Sequence, residues 1–221
     1  MQTVKTLALV GTMLAGSVAA ANAALVDFTD PATYTIAGNT GAGSVGGLSY
    51  TLTAVGGKFN NSEVADYDAD RVFPLAGIVD GLGVSDDEVA FPNQSVTVDF
   101  GQTVEISSLY FLDLFGTNPG GEMEETDEGV VVSNGRGDST TFLAQTRNQD
   151  GTVGFGSFGG LSITGSRFTF TPTSGNDAFA RPDFALAGIE AAAVPLPAGI
   201  LLLGGALGGL GFARRRKQKS A

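Results

Sequence analysis

Apolar and polar residues alternate with a period of two in short runs along the middle of this chain. In Ser95-Val-Thr-Val-Asp-Phe100, Val96, Val98 and Phe100 fall on one face while Ser95, Thr97 and Asp99 fall on the other. Phe168 and Phe170 alternate in the same way with Arg167, Thr169 and Thr171. A half-buried antiparallel strand requires this pattern, because successive side chains point to opposite faces of the sheet. Strands are predicted over Leu48–Ala54, Ser95–Phe100, Val104–Phe115, Gly129–Ser133, Thr140–Ala144, Arg167–Thr171 and Phe184–Glu190, all rich in Val, Phe, Thr or Leu and bounded by Gly, Asn, Asp or Pro. Helical periodicity is hard to find. Many short strands with glycine-rich turns predict an all-β fold, an antiparallel β-sandwich of jelly-roll-like form. Gly38–Gly47 and Gly151–Gly160 read as loops, with Phe155 and Phe158 packing part of the second. Asn118–Gly129 reads as an exposed acidic loop joining the paired runs Val104–Phe115 and Gly129–Ser133.

The two ends of the chain carry a different signal. Lys5 precedes an apolar stretch from Thr6 to Val18, and Ala21-Asn22-Ala23 supplies a small-x-small cleavage site. This is the layout of a secretory signal peptide over residues 1–23, cut after Ala23. At the other end an uncharged run, Ala198–Ala213, is followed by Arg214, Arg215, Arg216 and Lys217. A short apolar span closed by a basic cytoplasmic plug reads as a stop-transfer helix. Its 16 residues reach about 24 Å as a helix, against a hydrocarbon core of about 30 Å. A transient membrane stop fits that length better than a permanent anchor. The expected organisation is a signal peptide (1–23), a β-sandwich ectodomain (24–190), a linker with a proline motif (191–197), a transmembrane helix (198–213) and a basic tail (214–221).

The motif Val194-Pro195-Leu196-Pro197-Ala198, the Gly/Leu-rich span and the Arg-rich end together resemble the VPLPA variant of the PEP-CTERM sorting signal, found on envelope proteins of Gram-negative bacteria. The resemblance covers the last eighth of the chain. It implies that an exosortase-like membrane transpeptidase recognises Val194 to Ala198 and removes the helix, after export through the Sec machinery. Delivery to the cell surface or extracellular matrix is then expected. Two related layouts fit less well. A sortase signal needs a threonine that Leu196-Pro197-Ala198-Gly199 lacks, and a GPI signal ends in an apolar tail rather than a basic one. Asp80–Phe100, with its Gly-x-Gly-Val start, acidic cluster and alternating strand, is also similar to a segment common in PEP-CTERM ectodomains.

Composition narrows the chemistry of residues 24–190. All 23 acidic residues of the chain lie there with six of its basic ones, a net charge of 6 − 23 = −17. Nucleic acid and anionic lipid are poor partners for such a surface. The chain has no Cys and no His, so thiol nucleophiles, His-based triads and Cys/His zinc sites are excluded. Carboxylate chemistry remains open, since a glycosidase needs two positioned acids. No pair stands out, and no catalytic residue is assigned. The expected role is structural or binding, with exopolysaccharide as a candidate partner. The alternatives are a calcium-dependent glycan-binding module and a carboxylate-based glycan hydrolase.

Asp66-Tyr-Asp-Ala-Asp70 sets three carboxylates at alternate positions, the opening of many calcium loops. Arg71 and Gly77 stand where an EF-hand needs Gly and Glu, so Asp66, Asp68 and Asp70 are candidates for a calcium site of another kind, helped by Asp86, Asp87 or Glu88. Glu122, Glu124, Glu125, Asp127 and Glu128 read as a solvated acidic run. Arg136-Gly137-Asp138 reads as a turn between strands, and Asn60 and Asn93 match a glycosylation pattern without use in a bacterial setting. With no Trp, a stacking platform for sugars would rest on Phe or on Tyr34, Tyr50, Tyr67 or Tyr110.

Overall fold

A computed structural model describes residues 22–62, 74–116, 127–145, 154–173 and 182–195. Among these residues the protein is all-β and antiparallel, with no helix. The strands are β1 (Ala24–Asp27), β2 (Tyr34–Ala37), β3 (Thr40–Val45), β4 (Leu48–Val55), β5 (Phe59–Asn60), β6 (Gly83–Val84), β7 (Ser95–Leu112), β8 (Gly129–Asn134), β9 (Ser139–Leu143), β10 (Phe155–Pro172) and β11 (Ala185–Ala193). Nine of them form one sheet with the path β2-β3-β4-β7-β10-β8-β9, while β11 adds to β7 and carries β1; β5 and β6 form a separate pair.

The two 18-residue strands, β7 and β10, organise the sheet. The first part of β7 pairs with β4, Leu52 opposite Val98, and its second part pairs with β11, Leu109 opposite Ile189. Along both parts its other edge is taken by β10. The change of neighbour falls at a bend where Gly101 takes φ +64° and the carboxylate of Asp99 accepts its N–H at 2.8 Å. Positive φ costs glycine little, so the chain turns there without leaving the ladder. The stretches expected as separate strands, Ser95–Phe100 and Val104–Phe115, are therefore one bent strand. The pairing expected between Val104–Phe115 and Gly129–Ser133 is replaced as well. β10 lies between β7 and β8, with Phe168 opposite both Val98 and Asn134.

Three further segments differ from expectation. Gly38–Gly47, read as a loop, holds the β2–β3 turn and strand β3, which pairs with β2. The glycines are there for packing: a Cβ at Gly43 would overlap the ring of Tyr50, and one at Gly41 would lie 2.8 Å from the carbonyl oxygen of Thr35. Phe155–Gly160 is the start of β10, and β11 continues to Ala193, past the expected end at Glu190.

One buried cluster gathers side chains from β1, β4, β7, β8, β9, β10 and β11. Phe111 sits within it, with ring centroids of Phe142, Phe158, Phe170 and Phe184 at 5.6 to 6.5 Å. A second edge-to-face series runs from Tyr34 through Phe28, Tyr50 and Phe100 to Phe168. Such aromatic pairs contribute about 0.5–1.5 kcal/mol each beyond area burial. A smaller cluster of Leu75, Tyr110, Leu112, Ala185 and Ala187 lies apart from the first. It is why β7 loses its alternation from Leu109 to Leu112, where every side chain is buried.

Candidate functional site

Four carboxylic acids from distant parts of the chain meet at the ends of three strands and a nearby bend. Asp113 follows β7, Glu128 precedes β8, Asp183 precedes β11, and Glu88 lies in the bend after β6. Glu128 is 3% exposed. One of its oxygens accepts the backbone N–H of Phe115 at 2.7 Å, and the other accepts that of Asp183 at 3.4 Å. Its own N–H donates to the carbonyl of Phe115 at 3.0 Å, and its carbonyl accepts from Ala144 at 2.9 Å. Glu128 thus ties the exit of β7, the entry to β8, the end of β9 and the entry to β11 together.

Glu88 reaches the same point because its segment is docked on β11 through the backbone. Leu82 and Leu186 exchange N–H donors at 3.0 and 3.1 Å, Val89 N–H donates to Phe184 O at 2.8 Å, and Phe91 N–H donates to Pro182 O at 2.9 Å. The turn carrying Asp86 and Asp87 folds tightly over Gly83, where a Cβ would overlap the backbone of both residues. Burial pushes the Glu88 carboxyl upward, helped by the negative charge of Asp183 and by a hydrogen bond in which Glu88 is the donor. Asp87 and Asp86 push it the same way. Burial raises Asp183 too, followed by the charge of Glu128; Asp183 donates a proton to Glu128, and Asp113 adds to the shift. The arrangement is a short relay, Glu88 to Asp183 to Glu128, held by shared protons.

Sequence reasoning put Glu128 in a solvated acidic run, and the structure corrects this: its side chain is buried and fully used as an acceptor. Glu122, Glu124 and Glu125 lie outside the described residues. So do the calcium candidates Asp66, Asp68 and Asp70. Among the described residues, no three acidic side chains come together as a metal site. Arg136, Gly137 and Asp138 form the β8–β9 turn, with the Asn134 amide oxygen accepting the N–H groups of Arg136 and Asp138 at 3.0 Å each. Gly137 takes φ +95° there.

Tyr34, Tyr50 and Tyr110 are all buried, so none offers a face to a sugar, and Tyr67 lies outside the described residues. Tyr34 donates to Phe28 O at 2.9 Å and accepts from Asn61 at 3.0 Å. Burial pushes its hydroxyl up to about 12, and raises Tyr50 as well. Of the processing residues, Ala23, Val194 and Pro195 are exposed, and the Val194 N–H donates to Thr103 O at 3.0 Å. Ala21, Leu196, Pro197, Ala198 and the basic residues 214–217 lie outside the described residues.

No protein-family model matches the chain, and no curated protein is similar to it.

Proposed function

We propose that this chain is an exported protein of a Gram-negative envelope, sorted by an exosortase-like transpeptidase and delivered to the cell surface or matrix in a structural or binding role. The observation that carries the reading is the coincidence of fold and signal boundaries. β1 begins at Ala24, the first residue after the Ala21-Asn22-Ala23 site, and β11 ends at Ala193, the residue before Val194. Ala24 pairs with Ala191, so the first and last strands are neighbours. Cleavage at both points would leave every strand among the described residues intact.

We further infer that the sheet is folded over as a jelly-roll-like sandwich. In support, the β3–β4 turn approaches β1 across the core, the Cβ position of Gly46 lying 2.6 Å from the Ala24 Cβ. The Glu88–Asp183 pair does not have the spacing of a glycosidase site. Glu88 and Asp183 are in hydrogen-bond contact, closer than the roughly 5 to 9.5 Å at which glycosidase carboxylates work.

The test is the intact mass of the protein recovered from native envelope and medium. The expected product begins at Ala24 and lacks the basic tail. A product in an exosortase-active host that still carries Arg214 to Lys219 removes the sorting reading and leaves a single-span anchor.

A further inference from the structure

The outward face of the sheet carries a ladder of hydroxyls in register across six strands. Thr40 pairs with Thr53, Thr53 with Thr97, Thr97 with Thr169, Thr169 with Ser133, and Ser133 with Ser139. Directly paired residues share a face, and neighbouring strands lie about 4.8 Å apart, so the row spans about 24 Å. Further hydroxyls flank it, among them Thr51, Ser95 and Thr171, which stand two residues along from ladder members on β4, β7 and β10.

Two features separate this face from an ordinary solvated one. The first is its charge. The domain carries a large excess of acids, yet the outward positions of β2, β3, β4, the first part of β7, the last part of β10, β8 and β9 hold only two charges among the described residues, Asp99 and Arg167. These cancel, with Arg167 donating to Asp99 Oδ2 from Nε at 2.9 Å and from Nη2 at 2.6 Å. The second is a shallow depression of about 410 Å³ on the same side, lined by Thr33, Tyr34, Thr35, Ser44 and Ser49 with Ala42 and Gly43 beneath.

The hydroxyls are also oriented. Thr40 donates to Ala37 O at 3.2 Å, Thr35 to Ala42 O at 3.4 Å, Thr171 to Val131 O at 3.4 Å, and the Thr97 and Thr169 hydroxyls bond each other at 2.9 Å. A hydroxyl that donates one bond keeps lone pairs for a further partner. The face therefore offers uncharged hydroxyls at regular spacing, able to accept from or donate to the O–H groups of a partner.

We propose that this face, with the depression at its β2–β4 end, is the docking surface for an uncharged, extended polysaccharide. The inference rests on the exported-protein reading above. An acidic polymer is disfavoured because the rest of the domain would repel it, whereas a neutral one meets a neutral face. An array of hydroxyl contacts without aromatic platforms binds weakly per sugar and gains by running along several repeats.

Affinity electrophoresis of the full chain tests this in gels containing mixed-linkage β-glucan, dextran or alginate. Retardation by an uncharged glucan and none by alginate is expected. The double variant Ser49→Glu/Thr53→Glu places two charges in the depression and the ladder, and should weaken binding at least tenfold. Thr53→Ser should bind as the wild type does. Ser157→Glu, exposed on β10 far from β2–β4, adds charge elsewhere and controls for net repulsion. No retardation by either glucan, or equal retardation of the double variant and the wild type, would overturn the proposal. Processing reports separately on the parent reading. A matrix-delivered product that ignores glucan removes only this inference, while glucan binding by a chain that keeps its basic tail removes only the sorting.

Discussion

Glu88 and Asp183 share a hydrogen bond between their carboxyl groups, one on the segment that runs alongside β11 and the other at the entry to β11. The bond requires a proton, and the surrounding Asp86, Asp87, Asp113 and Glu128 all favour keeping it. This docked segment is thus fastened by protonation as well as by its backbone bonds.

The fastening predicts an unusual pH dependence. Glu88 is pushed up to about 9 and Asp183 to about 8, above the usual carboxylate values of about 4 in an unfolded chain. The folded state then holds more protons than the unfolded one between those limits, so stability falls as pH rises. The contribution is complete below about pH 4 and is lost by about pH 9. Melting temperature should decline between pH 5 and 9, and Glu88→Gln, a neutral donor, should flatten the decline. A melting temperature that climbs across this range in the wild type contradicts the shared-proton account.

Glu128 supports a second prediction, on stability at fixed pH. Glu128→Ala would strip the acceptors from the N–H groups of Phe115 and Asp183, and leaving such a group unsatisfied costs about 1–3 kcal/mol. Glu128→Gln keeps one acceptor oxygen and should lose less. Urea midpoints at pH 6 measure both. Equal midpoints for Glu128→Ala and the wild type would mean that the side chain is not holding the loops.

How far the sequence announced this arrangement depends on what each residue's neighbours do. The first part of β7 and the end of β10 were legible because one face is buried and the other is not, as in Val96, Val98 and Phe100. From Leu109 to Leu112 the second cluster covers the opposite face too, and the alternation vanishes. Gly41 and Gly43 looked like loop residues, although they are strand residues that make room for Tyr50 and the Thr35 carbonyl. The carboxylate relay was hidden more deeply. Asp183 stands alone in the sequence and Glu128 closes a charge run, so only the order β7-β10-β8 and the docking of Leu82 on Leu186 bring them together with Glu88.

The aromatic core predicts the largest single loss. Phe111 is fully buried and packs on four other rings, and removing such a side chain costs about 3–5 kcal/mol. Phe111→Ala should therefore unfold at much lower urea than Leu143→Ala, whose side chain is half exposed at the sheet edge. Similar midpoints for the two variants would show that Phe111 is not central to the core.

The calcium candidates give the last prediction. If Asp66, Asp68 and Asp70 hold the ion in the native state alone, calcium at a hundredfold excess over its dissociation constant should stabilise the fold by about 2.7 kcal/mol. Carboxylates at alternate positions suit a hard cation that takes six to eight oxygens. Chelator should then lower the melting temperature of the wild type and leave Asp68→Ala unchanged. A chelator shift that disappears in Asp68→Ala places the ion at the aspartate triplet. A shift absent from the wild type returns the triplet to a solvated loop.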